Sequence, residues 1–144
     1  RAEIQALVVK SSSPQPRRVT NGVDSSRVAM LLAVLERRAG ISLSDKDVYV
    51  STVGGMRIIE PAADLAIAIA IASAVSDKPV STKVAAFGEI SLSGEVRGVA
   101  NLSQRTNEAS RLGHKIIIDS TSGQLKKALT QALAQSDQPQ QVAS

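Results

Sequence analysis

The residues of this chain with the clearest chemical potential are basic. Five arginines stand between residues 17 and 38: Arg17, Arg18, Arg27, Arg37 and Arg38. Lys78 and Lys83 flank a later loop. Guanidinium and ammonium groups bind phosphates without regard to nucleotide sequence, and salt weakens such contacts. With 17 basic and 13 acidic residues the net charge is +4, which permits contact with a polyanion. A basic surface that is merely solvated, or that meets another protomer, is the alternative.

The sequence has few residues that could form a metal site, a cysteine-based site or a base-stacking surface. The chain has no cysteine, which excludes disulfides, thiolate metal sites and cysteine nucleophiles. Its single histidine, His114, cannot build a histidine-based metal centre alone, and we expect it to cap carbonyl groups at a helix end or to lie on the surface. One Phe, one Tyr and no Trp offer few rings for stacking single-stranded bases. We therefore predict no metal site.

The elements that must position the basic residues have an α/β pattern. We predict strands at 3–10, 17–20 and 47–52. Between the last two, apolar residues recur with the i, i+3, i+4, i+7 spacing of an amphipathic helix: Val28, Leu31, Leu32 and Leu35. This helix is predicted to begin at Asp24, which can cap free amides, and to end at Gly40.

The segment 61–76 is ambiguous, because its isoleucines alternate with alanines as in a strand. Its length and alanine content favour a helix, and Pro61 suits a first helical position. We interpret it as a helix buried on most sides, with Asp64 in its first turn interacting with the helix dipole. The apolar run is too short and too rich in alanine to span a membrane.

The rest of the chain predicts a hairpin and two more helices. The hairpin pairs 84–92 with 95–99 around a Ser93-Gly94 turn. Asn101, with Gln104 three residues later, resembles a capping box, so the next helix is predicted from Asn101.

Gly113 is expected to end that helix. A strand at 115–118 and a helix at 122–134 follow. We predict one domain over 1–135 and a flexible tail, rich in Gln, Ser and Pro, over 136–144.

Two stretches resemble the peptidase domain of Lon-type Ser-Lys proteases. The segment EPAAD at 60–64 with its Ala/Ile run is similar to the helix that carries the catalytic serine, and FGEISLSGEVR at 87–97 is similar to the hairpin of that family. The resemblance puts Ala62 and Ser103 at the dyad positions. A dyad needs a hydroxyl nucleophile and a neutral amine, but Ala62 has no hydroxyl and no lysine stands between Lys83 and Lys115. The resemblance implies a catalytically degenerate Lon-protease-like fold, a βαβ two-layer sandwich of the ribosomal-protein type.

Within the proteins that have this fold, the chain resembles one family in particular. Three stretches look like the C-terminal Lon-like domain of the RadA (Sms) family of bacterial DNA repair proteins: DSSRVAMLLAVLERRAG, DVYVSTVGGMRIIEPAADLAIAIAIAS and FGEISLSGEVRGV. The match as a whole runs from about residue 3 to residue 134. The most specific piece is 53–72, because VGG followed by EPAADLA departs from active Lon peptidases as RadA does.

That resemblance implies a scaffold domain without peptidase activity, which binds DNA and assembles with itself into a ring, a hexamer in the full-length protein. In this family a zinc-binding module and a RecA-like ATPase precede the domain, and the whole protein is an ATP-driven motor for recombination and branch migration. Neither upstream module is in this chain, which we expect to be a fragment of a longer protein. ATP, Mg and Zn are expected only in those modules, and no cofactor is expected here.

The residues predicted to contact DNA are Arg17, Arg18, Arg27, Arg37, Arg38 and Lys78. No signal peptide is visible, so a cytoplasmic location is expected. Two alternatives remain open. One is the Lon-like domain of a ComM-type AAA+ helicase, which shares the GE-x-x-L-x-G-x-V-R hairpin. The other is a residual serine peptidase with a displaced dyad.

Overall fold

The computed structural model describes residues 3–134, and the predicted tail at 136–144 lies outside this range. Within it, the fold mixes small sheets with four α-helices, which confirms the predicted α/β class. The strands are β1 (Ile4–Lys10), β2 (Arg18–Asn21), β3 (Lys46–Thr52), β4 (Val84–Ala86), β5 (Glu89–Ile90), β6 (Val96–Arg97) and β7 (Ile116–Ile118). The helices are α1 (Ser25–Ala39), α2 (Asp64–Ser76), α3 (Leu102–Arg111) and α4 (Leu125–Leu133).

The largest sheet has the strand order β1-β3-β2. β1 is antiparallel to β3, with Ile4 opposite Thr52 and Lys10 opposite Lys46. β2 is parallel to β3, with Arg18 opposite Val48. Because parallel neighbours cannot be joined by a tight turn, the chain crosses over through α1 between them. The result is a βαβ unit with an additional antiparallel edge strand.

The core lies on one face of this sheet. β3 buries Val48 and Val50, and α1 buries Leu31 and Leu35 against them. Helices α1, α2 and α4 contact one another over this face. The opposite face is open, because its apolar side chains are exposed: Leu7, Val9 and Val19.

The ambiguous segment is helical, as predicted. A 3₁₀ turn over Pro61–Ala63 leads into α2. Leu65, Ile67 and Ile71 are all buried, and the alanines between them let the sheet and the other helices approach closely. The period-two pattern of the sequence therefore reflects burial on several sides of a helix rather than a strand.

The predicted hairpin is wrong in its extent. Val84–Ala86 pairs in parallel with β7, with Val84 opposite Ile116. Only Glu89–Ile90 and Val96–Arg97 form the hairpin. The strand divides at Phe87 and Gly88 because their amides bond elsewhere, to Ile118 O at 2.9 Å and Ala62 O at 3.0 Å.

The predicted ends of α1 are confirmed, and α3 begins at Leu102, directly after Asn101. Asp24 accepts from Ser26 N at 3.4 Å, and Gly40 has φ 71°, a left-handed conformation that suits glycine. Asn101, in contrast, makes no capping hydrogen bond through its side chain. Its φ of 60° places the residue in the left-handed region, where asparagine is tolerated, so the predicted capping box is wrong.

None of the helices within residues 3–134 combines the length and the apolar character that a membrane span needs. In the same range, no three side chains of His, Asp or Glu are grouped so that they could hold a metal ion.

Candidate functional site

The two positions that the resemblance assigns to the dyad, Ala62 and Ser103, have different surroundings. Ala62 is in the 3₁₀ turn before α2, is 9% exposed and accepts from Gly88 N through its carbonyl. It lines a cavity of about 270 Å³ with mostly apolar neighbours. Ser103 is an exposed residue in the first turn of α3 and does not line this cavity. The residues that do line it carry no hydroxyl, thiol or amine.

An ion pair stands at the rim of this cavity. Arg105 donates from Nη1 to Glu60 Oε1 at 3.0 Å and from Nη2 to Glu60 Oε2 at 3.3 Å, and its Nε donates to Ala100 O at 2.9 Å. The hydrogen bond from Arg105 lowers the pKa of Glu60, and the same bond raises the pKa of Arg105. The pair joins α3 to the segment before α2, so Arg105 acts as a structural clamp.

Arg27 is also engaged by a carboxylate. Its Nε donates to Asp64 Oδ1 at 3.0 Å, and its Nη2 donates to Asp64 Oδ2. Asp64 is 1% exposed and accepts a third bond from Ile90 N at 3.0 Å. The bond to Asp64 raises the pKa of Arg27, while burial opposes that shift. This pair holds α1, α2 and the hairpin together, so Arg27 differs from the other arginines predicted to contact DNA.

The sequence contained a signal for this pair. An aspartate within a run of alanines and isoleucines on a buried helix needs a charged partner, because an unpaired buried carboxylate is costly. The helix-dipole interpretation gave Asp64 the correct position, in the first turn, but missed the arginine.

Six other basic residues lie at one end of the sheet. Since β1 runs against β3 and β2 runs with it, the end of β1 and the starts of β2 and β3 lie together. Helix α1 returns to the start of β3, so its last turn lies there as well. We call this set the basic end: Lys10, Arg17, Arg18, Arg37, Arg38 and Lys46.

Two arginines of the basic end face one groove. Arg18 and Arg37 line a groove of about 600 Å³ between α1 and the loop before β3. Arg18 is fixed by donating to Lys46 O and Leu43 O, both at 2.9 Å. Glu36 also lines the groove, but its carboxylate accepts from Leu43 N at 2.9 Å.

Arg38 is held by the tip of the hairpin. Its Nε donates to Leu92 O at 3.3 Å, and its stem lies over Gly94, where an added Cβ would be 2.9 Å from Arg38 Cβ. Gly94 has φ 84°, so glycine is required there both by conformation and by this close approach. Leu125 N donates to Gly94 O at 2.7 Å. This bond places the start of α4, with its exposed Lys126 and Lys127, beside the hairpin tip.

The carboxylates at the basic end are already engaged. Asp45 accepts from Lys46 Nζ at 2.9 Å, and this hydrogen bond is the main reason that the pKa of Asp45 is lowered. Asp47 accepts from Arg17 N at 2.7 Å, and this backbone bond is the main cause of its lowered pKa. Both carboxylates remain ionised to lower pH than usual, but six cations face three carboxylates (with Glu36), so the end stays positive.

The structure thus brings together Arg17, Arg18, Arg37 and Arg38, but not all of the predicted residues. Lys78 lies beyond the end of α2, where its backbone bonds Ser73, and no described contact joins it to the basic end. Sequence reasoning missed Lys10 and Lys46. Their opposed positions in the sheet register could be inferred only after β1 and β3 were paired. His114 is half-buried, and its Nδ1 lies 2.7 Å from Thr82 O.

Comparisons with known proteins give this geometry a context. Residues 25–122 match the family model described as subunit ChlI of Mg-chelatase. A DNA repair protein RadA from Streptococcus pyogenes is 47% identical over 112 residues, which are 78% of this chain and 25% of that protein. The proteins of the same name from Halalkalibacterium halodurans and Bacillus subtilis are 47% identical over 116 residues, 81% of this chain and 25% of theirs. The chain spans about a quarter of the length of these relatives.

Proposed function

Since this chain belongs to the family described as subunit ChlI of Mg-chelatase and is similar to DNA repair proteins over 81% of its length, we propose that it is a non-proteolytic scaffold and DNA-binding domain of a RadA-type DNA repair and recombination protein. The name of its relatives supports the DNA repair family. The observation that carries the DNA-binding part is the convergence of six cations at the basic end.

The basic end suits a phosphate backbone rather than bases. Arg18 and Arg38 are held by backbone carbonyls, so their guanidinium groups lose little further freedom on binding. The two aromatic residues of the chain, Tyr49 and Phe87, do not belong to this surface, so base stacking has no platform there. Contacts of this kind position DNA without reading its sequence.

The DNA-binding proposal predicts a steep dependence on salt. We expect weak binding to duplex DNA, with equal affinity for unrelated sequences of the same length. Each phosphate contact changes the slope of log K against log salt by about −0.9, so four to six contacts give a slope of about −4 to −5. Fluorescence anisotropy from low to physiological salt measures this slope. Binding that is absent even at low salt would leave assembly as the only role.

We also propose that the fold is a degenerate Lon-protease-like domain. Ala62 at the entrance to α2 and the exposed Ser103 support this proposal, together with a cavity whose lining offers neither a hydroxyl nor a lysine amine for a Ser-Lys dyad. We propose that ATP hydrolysis, with its Mg, and zinc binding belong to parts of the longer protein outside this chain, and that this domain holds no cofactor. The proposed location is the cytoplasm, where the DNA is.

Self-association into a ring, a hexamer in the full-length protein, is the scaffold part of the proposal. The loop between β3 and α2 supports it, because Val53, Met56 and Ile59 are 40%, 48% and 74% exposed. This loop lies at the end of β3 opposite the basic end, so a protein contact there would leave the arginines accessible to DNA.

The loop gives a test of self-association. Sedimentation velocity at rising concentration should show oligomers of the wild-type protein, and Met56→Ser/Ile59→Ser should sediment as a monomer. Leu92→Ser is the matched control, because Leu92 is also 70% exposed but lies on the hairpin tip. Equal sedimentation of the wild type and the double variant would exclude this loop as the contact.

A further inference from the structure

The tip of the hairpin between β5 and β6 presents an apolar side chain to solvent. Leu92 is 70% exposed, although it stands in a four-residue turn with Ser91, Ser93 and Gly94. Turns favour Gly, Pro, Asn, Asp and Ser, because these residues adopt the turn conformation or bond the backbone. The two serines and the glycine are therefore ordinary turn residues, whereas the leucine contributes nothing to the turn itself.

The turn holds Leu92 in a fixed position. Gly94 N donates to Ser91 O at 2.9 Å, and Ser91 N donates to Glu95 O at 3.0 Å. The side chain of Ser91 adds to this, because its Oγ accepts from Glu95 N at 3.1 Å and lies 2.9 Å from Ser93 Oγ. A tip with these internal hydrogen bonds has little freedom to lose when it binds a partner.

Two helices hold the same tip through its backbone carbonyls. The end of α1 reaches it through Arg38, whose Nε donates to Leu92 O at 3.3 Å. The start of α4 reaches it through Leu125, whose amide donates to Gly94 O at 2.7 Å. The tip is therefore fastened to the helical layer, and a force on Leu92 is transmitted to the whole domain.

Basic side chains stand next to the tip on both of these helices. Arg38 belongs to the basic end, and the exposed Lys126 and Lys127 directly follow Leu125. The carboxylate that follows the turn, that of Glu95, accepts from Arg97 Nε at 3.3 Å, so its charge is already paired. A single exposed leucine needs no explanation by itself. A leucine beside cations, however, matches the chemistry of DNA, in which phosphates flank the apolar faces of the bases.

We propose that Leu92 is a wedge that enters an opened base step of duplex DNA, while Arg38, Lys126 and Lys127 bind the phosphates on the flanks. The inference rests on the proposed binding of DNA at the basic end. Apolar side chains such as leucine can enter a duplex, partly unstack one step and kink the helix axis. Opening a step costs free energy, so the wedge favours DNA in which one step opens easily. This preference depends on the structure of the DNA and not on its base sequence.

The probes are two short duplexes of the same sequence, one intact and one with a central nick that carries a 5′ phosphate. The phosphate keeps the charge of the two duplexes similar, but the nicked step bends and opens at lower cost. We expect the wild-type protein to bind the nicked duplex about fivefold to tenfold more tightly than the intact duplex at equal salt. Leu92→Ser should bind the two duplexes equally. Fluorescence anisotropy measures both affinities.

A fluorescent base reports the insertion directly. 2-Aminopurine beside the nick becomes brighter when it loses its stacking, and we expect this rise with the wild type and with Leu92→Met, which keeps an apolar side chain. Leu92→Ser should give no rise. Leu112→Ser is the matched control, because Leu112 is 52% exposed but lies at the end of α3, and it should give the full rise.

The flanking lysines should act differently from the wedge. Lys126→Gln/Lys127→Gln removes phosphate contacts and keeps Leu92, so it should weaken binding of the nicked and the intact duplex by the same factor. The preference for the nicked duplex should then remain. Loss of the preference in this variant, with Leu92 in place, would assign the recognition of the nick to the lysines and overturn the wedge.

Three further results would overturn the wedge. One is equal affinity of the wild-type protein for the two duplexes. Another is a rise of 2-aminopurine fluorescence with Leu92→Ser as large as with the wild type, which would assign the opening to phosphate contacts alone. The third is altered sedimentation of Leu92→Ser without DNA, which would assign the tip to a protein contact. Failure of the proposed function is distinct from all of these, because neither duplex would then bind at low salt.

Discussion

Asp64→Asn is expected to lower the free energy of unfolding by about 3 to 5 kcal/mol, because breaking a buried ion pair from one side leaves a charge without its partner. Arg27 would keep its charge in a half-buried position, and the amide of Ile90 would lose its ionised acceptor. Urea unfolding followed by circular dichroism measures the effect as a lower midpoint with an unchanged slope. Glu108→Gln, which breaks the exposed pair with Arg111, is the control and should leave the midpoint unchanged.

A double replacement separates the ion pair from simple loss of packing. Arg27→Met/Asp64→Leu removes both charges and keeps similar volume, and such replacements are often neutral or stabilising. We expect it to recover most of the stability lost in Asp64→Asn. A double variant as unstable as the single variant would show that shape at this junction, and not charge, is what α1, α2 and the hairpin require. Arg27→Met/Asp64→Leu should also keep the wild-type affinity for duplex DNA.

Removing pairs of arginines from the basic end should weaken DNA binding strongly. We expect Arg37→Ala/Arg38→Ala and Arg17→Ala/Arg18→Ala each to lower duplex affinity by about tenfold to a hundredfold near 0.1 M salt, and to reduce the salt slope by about 1.8 for two lost phosphate contacts. The loss should be the same for every duplex sequence. Anisotropy titrations at several salt concentrations measure both quantities together.

The control for these pairs keeps the change in net charge constant. Arg57→Ala/Arg111→Ala also removes two positive charges, but Arg57 lies in the loop beyond the other end of β3 and Arg111 is on α3. It should change affinity only slightly. An equal loss in the control would mean that DNA responds to overall charge, and the basic end would have no special role.

Local patterns in the sequence were sufficient to predict most helices and strands of the fold. The apolar spacing and the caps at Asp24 and Gly40 predicted α1, and the alanine content decided correctly for a helix at 61–76. These features depend on residues that are near one another in the chain. The extent of the hairpin was not predictable in this way, because the break at Phe87 and Gly88 is imposed by bonds to Ile118 and Ala62, which are distant in sequence.

The same distinction between local sequence and distant contacts applies to the candidate site. Residue types alone indicated phosphate contact, and the chain carries neither a cysteine nor a second histidine for other chemistry. Which cations act together was a matter of topology: the opposite directions of β1 and β3 bring Lys10 to Lys46, and the return of α1 brings Arg37 and Arg38 to Arg18. The same folding takes Arg27 away from that surface and pairs it with Asp64.

The sequence by itself determined the chemical groups available, the α/β class and the positions of the main helices, because propensity, capping and apolar spacing act over a few residues. Only the tertiary structure decided which charges are free and which are neutralised inside, and which strand edges remain unpaired. Those outcomes depend on pairing between residues far apart in the chain, and no local pattern encodes a distant partner.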